Sequence, residues 1–185
     1  MQVEIKQVAP WSRALDAARW TVRKELTGKE PSAKWIWKIL RAEHSPIRLV
    51  EYDIKLTGIP YWVAMHFVRH HEGVQWFCST QRDDRIIHDI SREKMSQDTP
   101  INVMMSINAQ ALINISRKRM CTKAAEATRA VWRAIIAELG KVDPVMQEAC
   151  VPECVYRGFC PELQSCKWCD TEAYRERTNR YRGIE

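Results

Sequence analysis

The chain has 185 residues, of which 45% are hydrophobic and 28% charged, proportions that suit one globular domain with a sizeable core. Its formal net charge of +6 and pI near 9.0 favour anionic partners: nucleotides, nucleic acid or acidic surfaces. No apolar run is long enough to span a bilayer, and the opening "MQVEIKQVAP" lacks the apolar centre of a signal peptide. The expected setting is therefore cytoplasmic, with reduced thiols.

In chain order, "APWSRALDAARWTVRKEL" (9–26) predicts a helix, with Ser12 as cap and Leu15, Ala18, Val22 and Leu26 at helical spacing. "SAKWIWKILRAEH" (32–44) predicts a second, with Ser32 as cap and an apolar stripe of Trp35, Ile39 and Leu40. "RLVEYDIKLTG" (48–58) alternates: Val50, Tyr52, Ile54 and Leu56 face one way, while Glu51, Asp53 and Lys55 face the other. That is the pattern of a half-buried strand, ended by Gly58 and Pro60. "YWVAMHFVRH" (61–70) reads as a helix and "VQWFCS" (74–79) as strand or loop.

The longest helical signal lies in 102–139. Ile107, Ala111, Leu112 and Ile115 form one stripe, Val131, Ile135 and Leu139 another, and Gly140 and Pro144 are the expected terminators. The organisation expected is a single α+β domain over 1–149, with helices on a small antiparallel or mixed sheet. A cysteine-rich segment (150–169) packs on that domain. A basic tail (170–185) reads as a solvated end.

Three clusters carry chemistry. Arg69, His70 and His71 close the 61–70 helix. They read either as cations complementing a helix C-terminus or as an anion site. Neighbouring residues cannot share a helix face, so their side chains must fan out toward different partners. Arg117, Lys118 and Arg119 form a second cluster pointing in three directions. Arg119 lies four residues after Ile115, on the apolar side, where a guanidinium needs a partner. Third, Cys150, Cys154, Cys160, Cys166 and Cys169 are spaced C-x3-C-x5-C-x5-C-x2-C. Cys154, Cys160, Cys166 and Cys169 are candidate zinc ligands. Free buried thiols or a redox-labile end are the plainer readings.

Taken together, these segments resemble the flavin-dependent thymidylate synthases, or a divergent phage-type relative. "FVRHHEGVQWFCS" (67–79) is similar to the family signature of Arg-His-Arg, seven intervening residues, then Ser, with Arg69, His70 and Ser79 in register. "AEHSPIRLVEYDIKLTG" (42–58), "NAQALINISRKRMCTKAAEATR" (108–129) and "PECVYRGFCPELQSC" (152–166) resemble further family segments in the right order. Asn108, Arg119, Ala124 and Arg129 are the matching points of the second of these. His71, Trp76-Phe77 and Gln81 stand where the pattern has Arg, Asn-Glu and Arg, with Arg82 adjacent.

The resemblance implies a ThyX-like α+β fold and a homotetramer with sites between subunits. It implies FAD as cofactor, with NADPH and methylenetetrahydrofolate as co-substrates, for methylation of dUMP. Arg69, His70, His71, Asn108 and Asn114 would bind the flavin. Ser79, Gln81, Arg82 and Arg119 would bind the nucleotide, with Ser79 and Arg119 serving catalysis. Ser79 has no evident base beside it in sequence, so hydrogen bonding to the nucleotide is its expected role, not attack. Hydroxymethylation of a nucleotide, or non-catalytic binding of nucleotide or nucleic acid, are the alternative functions.

Overall fold

The computed structural model describes residues 1–87 and 90–183. Four antiparallel strands form one sheet: β1 (Gln2–Ala9), β2 (Glu51–Pro60), β3 (Val74–Cys78) and β4 (Pro100–Asn108), in the order β1-β2-β4-β3. The alternation at 50–56 holds, since Val50, Tyr52, Ile54 and Leu56 are all buried. Ladder register carries this inner face across the sheet. Ile54 sits opposite Ile5 on β1 and Met105 on β4, and Met105 opposite Trp76 on β3.

Helices pack on that inner face and on one another. They are α1 (Trp11–Thr21), α2 (Ala33–Arg41), α3 (Tyr61–Phe67), α4 (Ala109–Arg119), α5 (Glu126–Val142), α6 (Pro144–Ala149), α7 (Glu153–Arg157) and α8 (Glu172–Arg182). The architecture is the expected single α+β layer pair. Ser32 caps α2 as expected, accepting from the Trp35 amide. The core is closed by a polar triad: Trp11 Nε1 and the Tyr52 hydroxyl each donate to Asp143 Oδ2 at 2.6 Å. Asp143 Oδ1 accepts from the Met146 amide at the start of α6.

Several expectations change. The first helix is shorter than 9–26 and has no Ser12 cap. Arg23 takes a left-handed conformation (φ 57°), and the chain doubles back so that Asp16 accepts from the Thr27 and Gly28 amides. Val22 and Leu26 are consequently exposed. The segment 102–139 is not one helix but strand, helix, turn and helix. Period-two burial of Ile101, Val103, Met105 and Ile107 wins over the helical pattern. Gly140 lies inside α5, where any β-carbon would collide with the side chain of Gln147, so it serves helix packing, not termination. The tail expected as a solvated end forms α8, which buries Tyr174, Thr178 and Tyr181 against Val151 and Val155. Residues 184 and 185 of that tail lie outside the described residues.

Candidate functional site: a cationic cleft between α3, β3 and α4

The cleft begins with two chain reversals. α3 ends at Phe67, and Gly73 (φ 72°) turns the chain into β3. A side chain at Gly73 would strike Asn108, whose own amide donates to the Gly73 carbonyl at 2.9 Å. The reversal therefore packs directly on the start of α4. Asn108 Oδ1 accepts from the Ala111 amide at 2.9 Å, the N-cap arrangement that satisfies one free donor of the helix.

This packing puts Arg119 against the end of α3. Its Nη2 donates to the His66 carbonyl at 2.6 Å, and its Nε donates to His70 Nε2 at 3.1 Å. A guanidinium cannot accept, so Nε2 is the lone-pair nitrogen of His70 and Nδ1 carries the ring hydrogen. Burial pushes His70 down to about 4, helped by the positive charges of Arg119, His71 and Lys118. At neutral pH His70 is an uncharged donor. Burial also lowers Arg119, and Arg69 repels it further. Arg69, His70, His71 and Asn114 line a small cleft of about 160 Å³ in which Glu72 is the one carboxylate among the described residues. His71 also borders an adjoining polar cleft of about 410 Å³ that includes Gly73, Gln75, Ser106 and Asn108. Arg69 lies close enough to Arg119 to repel it, and among the described residues neither forms a salt bridge although Glu72 lines the same cleft as Arg69, an arrangement that favours a bound anion.

Ser79 lies elsewhere in the chain. Its amide donates to the Asn102 carbonyl at 2.8 Å and its Oγ accepts from the Asn102 amide at 3.1 Å, extending the β3–β4 ladder. It borders a separate cleft on the sheet with Thr57, Phe77 and Met104. Five residues of strand separate Ser79 from Val74, about 17 Å at ~3.4 Å per residue. Arg82 pairs bidentately with Asp84 at 2.6 and 2.8 Å on the surface. One chain therefore brings Arg69, His70, His71, Asn114 and Arg119 together, with Asn108 beside them, and leaves Ser79, Gln81 and Arg82 apart.

No protein-family model matches the chain, and no curated protein matches its sequence. Solved structures do match. ThyX thymidylate synthase from Helicobacter pylori, with FAD and dUMP, superposes at a TM-score of 0.67 and 15% identity, over 82% of this chain and 99% of that one. The chain has the ThyX fold. A second ThyX structure from Helicobacter pylori, complexed with FAD and dUMP, gives 0.62 at 14% identity over 82% and 100% of the two chains. The UMP/dUMP methylase PolB from Streptomyces cacaoi, bound with 5-Br dUMP, gives 0.59 at 14% over 85% and 96%.

Within this ThyX fold, two supporting residues escape sequence reasoning. Trp76 replaces a polar residue of the signature, yet its Nε1 donates to the His70 carbonyl at 2.6 Å. Its ring stacks on Phe67 at 6.2 Å with an interplanar angle of 8°. It pins the reversal that presents His70. His66 Nδ1 contacts Thr128 Oγ1 at 2.8 Å, tying α3 to α5. Periodicity marks neither role; only the period-two position of Trp76 on the inner face of β3 pointed inward.

Asn114, expected at the flavin, accepts from Gln110 at 3.2 Å and more distantly from Arg117 while still lining the cleft. Asn108 spends its Oδ1 on the helix cap. The expected fan of three cations is observed: Arg117 reaches Glu43, Lys118 reaches Glu153 at 3.3 Å, and Arg119 reaches His70.

Proposed function

We propose that the protein binds FAD and a deoxypyrimidine monophosphate, and transfers one carbon to the pyrimidine ring, with methylation of dUMP as the leading reaction. The observation that carries this reading is the Arg69–His70–Arg119 cluster, whose arginines form no salt bridge among the described residues, on a fold of which two solved examples were captured with FAD and dUMP. The residues present fit such ligands. Arginines supply forked donors for phosphate or a uracil carbonyl, and a neutral His70 offers an N–H without adding charge. Asn114 and His71 add further polar groups to the walls.

When bound, reduced flavin supplies hydride, while methylenetetrahydrofolate would supply carbon and NADPH would restore the reductant. The chain's own residues orient and polarise. Arg119, held by the His66 carbonyl and His70 Nε2, keeps one terminal nitrogen, Nη1, for an anionic oxygen. His70 steadies that guanidinium through Nε2 and donates from Nδ1. Ser79, anchored on the β3–β4 ladder, would hydrogen-bond the nucleotide and not attack it. Ser79 and Arg119 lie at opposite ends of β3, so a nucleotide touching both must sit between two chains. A homotetramer with intersubunit sites meets that requirement.

Non-catalytic nucleotide binding is favoured by one observation: the signature's Asn-Glu pair is replaced by Trp76, which is committed to packing, and by Phe77, which is 56% exposed. Reconstitution with FAD tests the primary reading. Wild type should turn yellow and retain stoichiometric flavin through gel filtration. Arg69→Ala should lose most of it while keeping its circular dichroism spectrum. A wild type that stays colourless after reconstitution overturns the flavin assignment.

A further inference from the structure

Five of the seven cysteines gather outside the cationic cleft. Cys121, Cys154, Cys160, Cys166 and Cys169 line one cavity of about 470 Å³ between the α4–α5 turn, α7, the loop before α8 and α8 itself. Cys154 and Cys169 both pack on the small core of Val151, Val155, Tyr174 and Tyr181. The Lys167 amide donates to Ser165 Oγ at 2.9 Å, and Lys167 is left-handed at φ 63°. That tight turn presents Cys166 and Cys169 from one C-x2-C corner. Cys150, by contrast, is wholly buried against Ser116, and Cys78 lies on β3.

The surrounding packing leaves this region short of hydrophobic support. The C-terminal unit has its own small core of Val151, Val155, Tyr174 and Tyr181. From Phe159 to Lys167 no side chain is buried, and Leu163 is fully exposed. Such a loop lacks the apolar burial that offsets its ordering entropy. Small units of this kind are commonly held by metal or disulfide crosslinks. Lys123, Arg133 and Arg177 also line the cavity, against Glu153 and Glu162. Glu153 is already paired with Arg157 and Lys118. Arg177 is likewise paired with Glu148 and Arg133 with Glu126, so the cavity's charged lining is close to balanced.

We propose that Cys154, Cys160, Cys166 and Cys169 bind one Zn²⁺ as a tetrathiolate centre that staples the loop preceding α8 onto α7. Zinc takes four sulfur ligands tetrahedrally. Each thiol gives up its proton to solvent as its sulfur joins the metal, and no oxidation occurs. Among the described residues no three His, Cys, Asp or Glu side chains already form a metal-holding group. Binding therefore draws Cys160 and Cys166 inward on the weakly packed loop, toward Cys154 and Cys169. Cys121 borders the cavity without being a ligand.

The test uses the full-length protein purified anaerobically. Elemental analysis should find one zinc per chain. Replacing it with Co²⁺ should give the intense visible bands of tetrahedral cobalt thiolate. Chelation should open the 158–168 loop to protease while the rest of the chain stays resistant. Cys160→Ser and Cys166→Ser should each lose the metal; Cys121→Ser and Cys78→Ser should keep it. Metal-free wild type with seven free thiols, a disulfide within the cluster, or iron with acid-labile sulfide would each overturn the proposal. If the serine variants fail to fold, the cobalt spectrum of wild type still decides it.

Discussion

Two arginines near the end of α4 meet opposite fates. Arg117 reaches across to Glu43, lies 3.5 Å over the ring of Tyr156, and is neutralised within a network that also takes in Gln110 and Asn114. Arg119, two residues on, is also partly drawn out of water but, among the described residues, meets a carbonyl, a neutral imidazole and the repulsion of Arg69, with no acid. The first is a charge the fold completes by itself. The second is one the fold holds in place without completing. Burial alone does not distinguish a structural cation from a ligand-binding one; the presence of a matched acid does.

Truncation should separate the two most sharply. Glu43→Ala leaves Arg117 largely buried and unpaired, and should cost about 2 kcal/mol of stability, measured by urea unfolding. Arg119→Met should cost less than about 1 kcal/mol by the same assay. Losing two hydrogen bonds worth about 1 kcal/mol each is offset by relieving desolvation and the repulsion from Arg69. Equal losses in the two variants would erase the distinction.

A smaller effect concerns pH. His70 titrates near 4 in the folded chain and near its ordinary value of about 6.5 when unfolded. Between those values the unfolded state binds more protons, so stability rises with pH. The contribution is present above pH ~6.5 and is lost as pH falls toward about 4. Thermal unfolding across that window should show a shallower slope in His70→Asn than in wild type. An identical slope would mean that His70 is not held neutral by its surroundings.

How much of this was legible beforehand depends on how local each signal is. The β2 alternation, the Ser32 cap and the place of Arg119 on the apolar side of its helix were readable because each rests on a few neighbouring residues. β1 was not, since it offers only Val3 and Ile5 as half-buried apolar side chains on the inner face of an edge strand. β4 carried a period-two signal that the longer helical pattern around it overrode. α8 hid behind its charge, because its buried stripe is built from Tyr174, Thr178 and Tyr181 instead of aliphatic residues. In the site, the Arg119–His70 bond spans 49 residues of sequence, and the Trp76 clamp depends on a carbonyl, which no side-chain pattern reports. The separation of Ser79 from Arg119 follows from strand length and register, and neither is visible in a motif that reads them as one set.

The central claim is that Arg119 awaits an anionic nucleotide, and calorimetric titration of dUMP into flavin-loaded wild type and Arg119→Lys tests it most directly. Lysine keeps the charge but cannot reproduce the forked donor geometry. The variant should bind roughly tenfold more weakly, the equivalent of one charge-assisted hydrogen bond of about 1.4 kcal/mol, with its flavin content unchanged. Equal affinity in the two proteins, or no dUMP binding by wild type, would contradict the account.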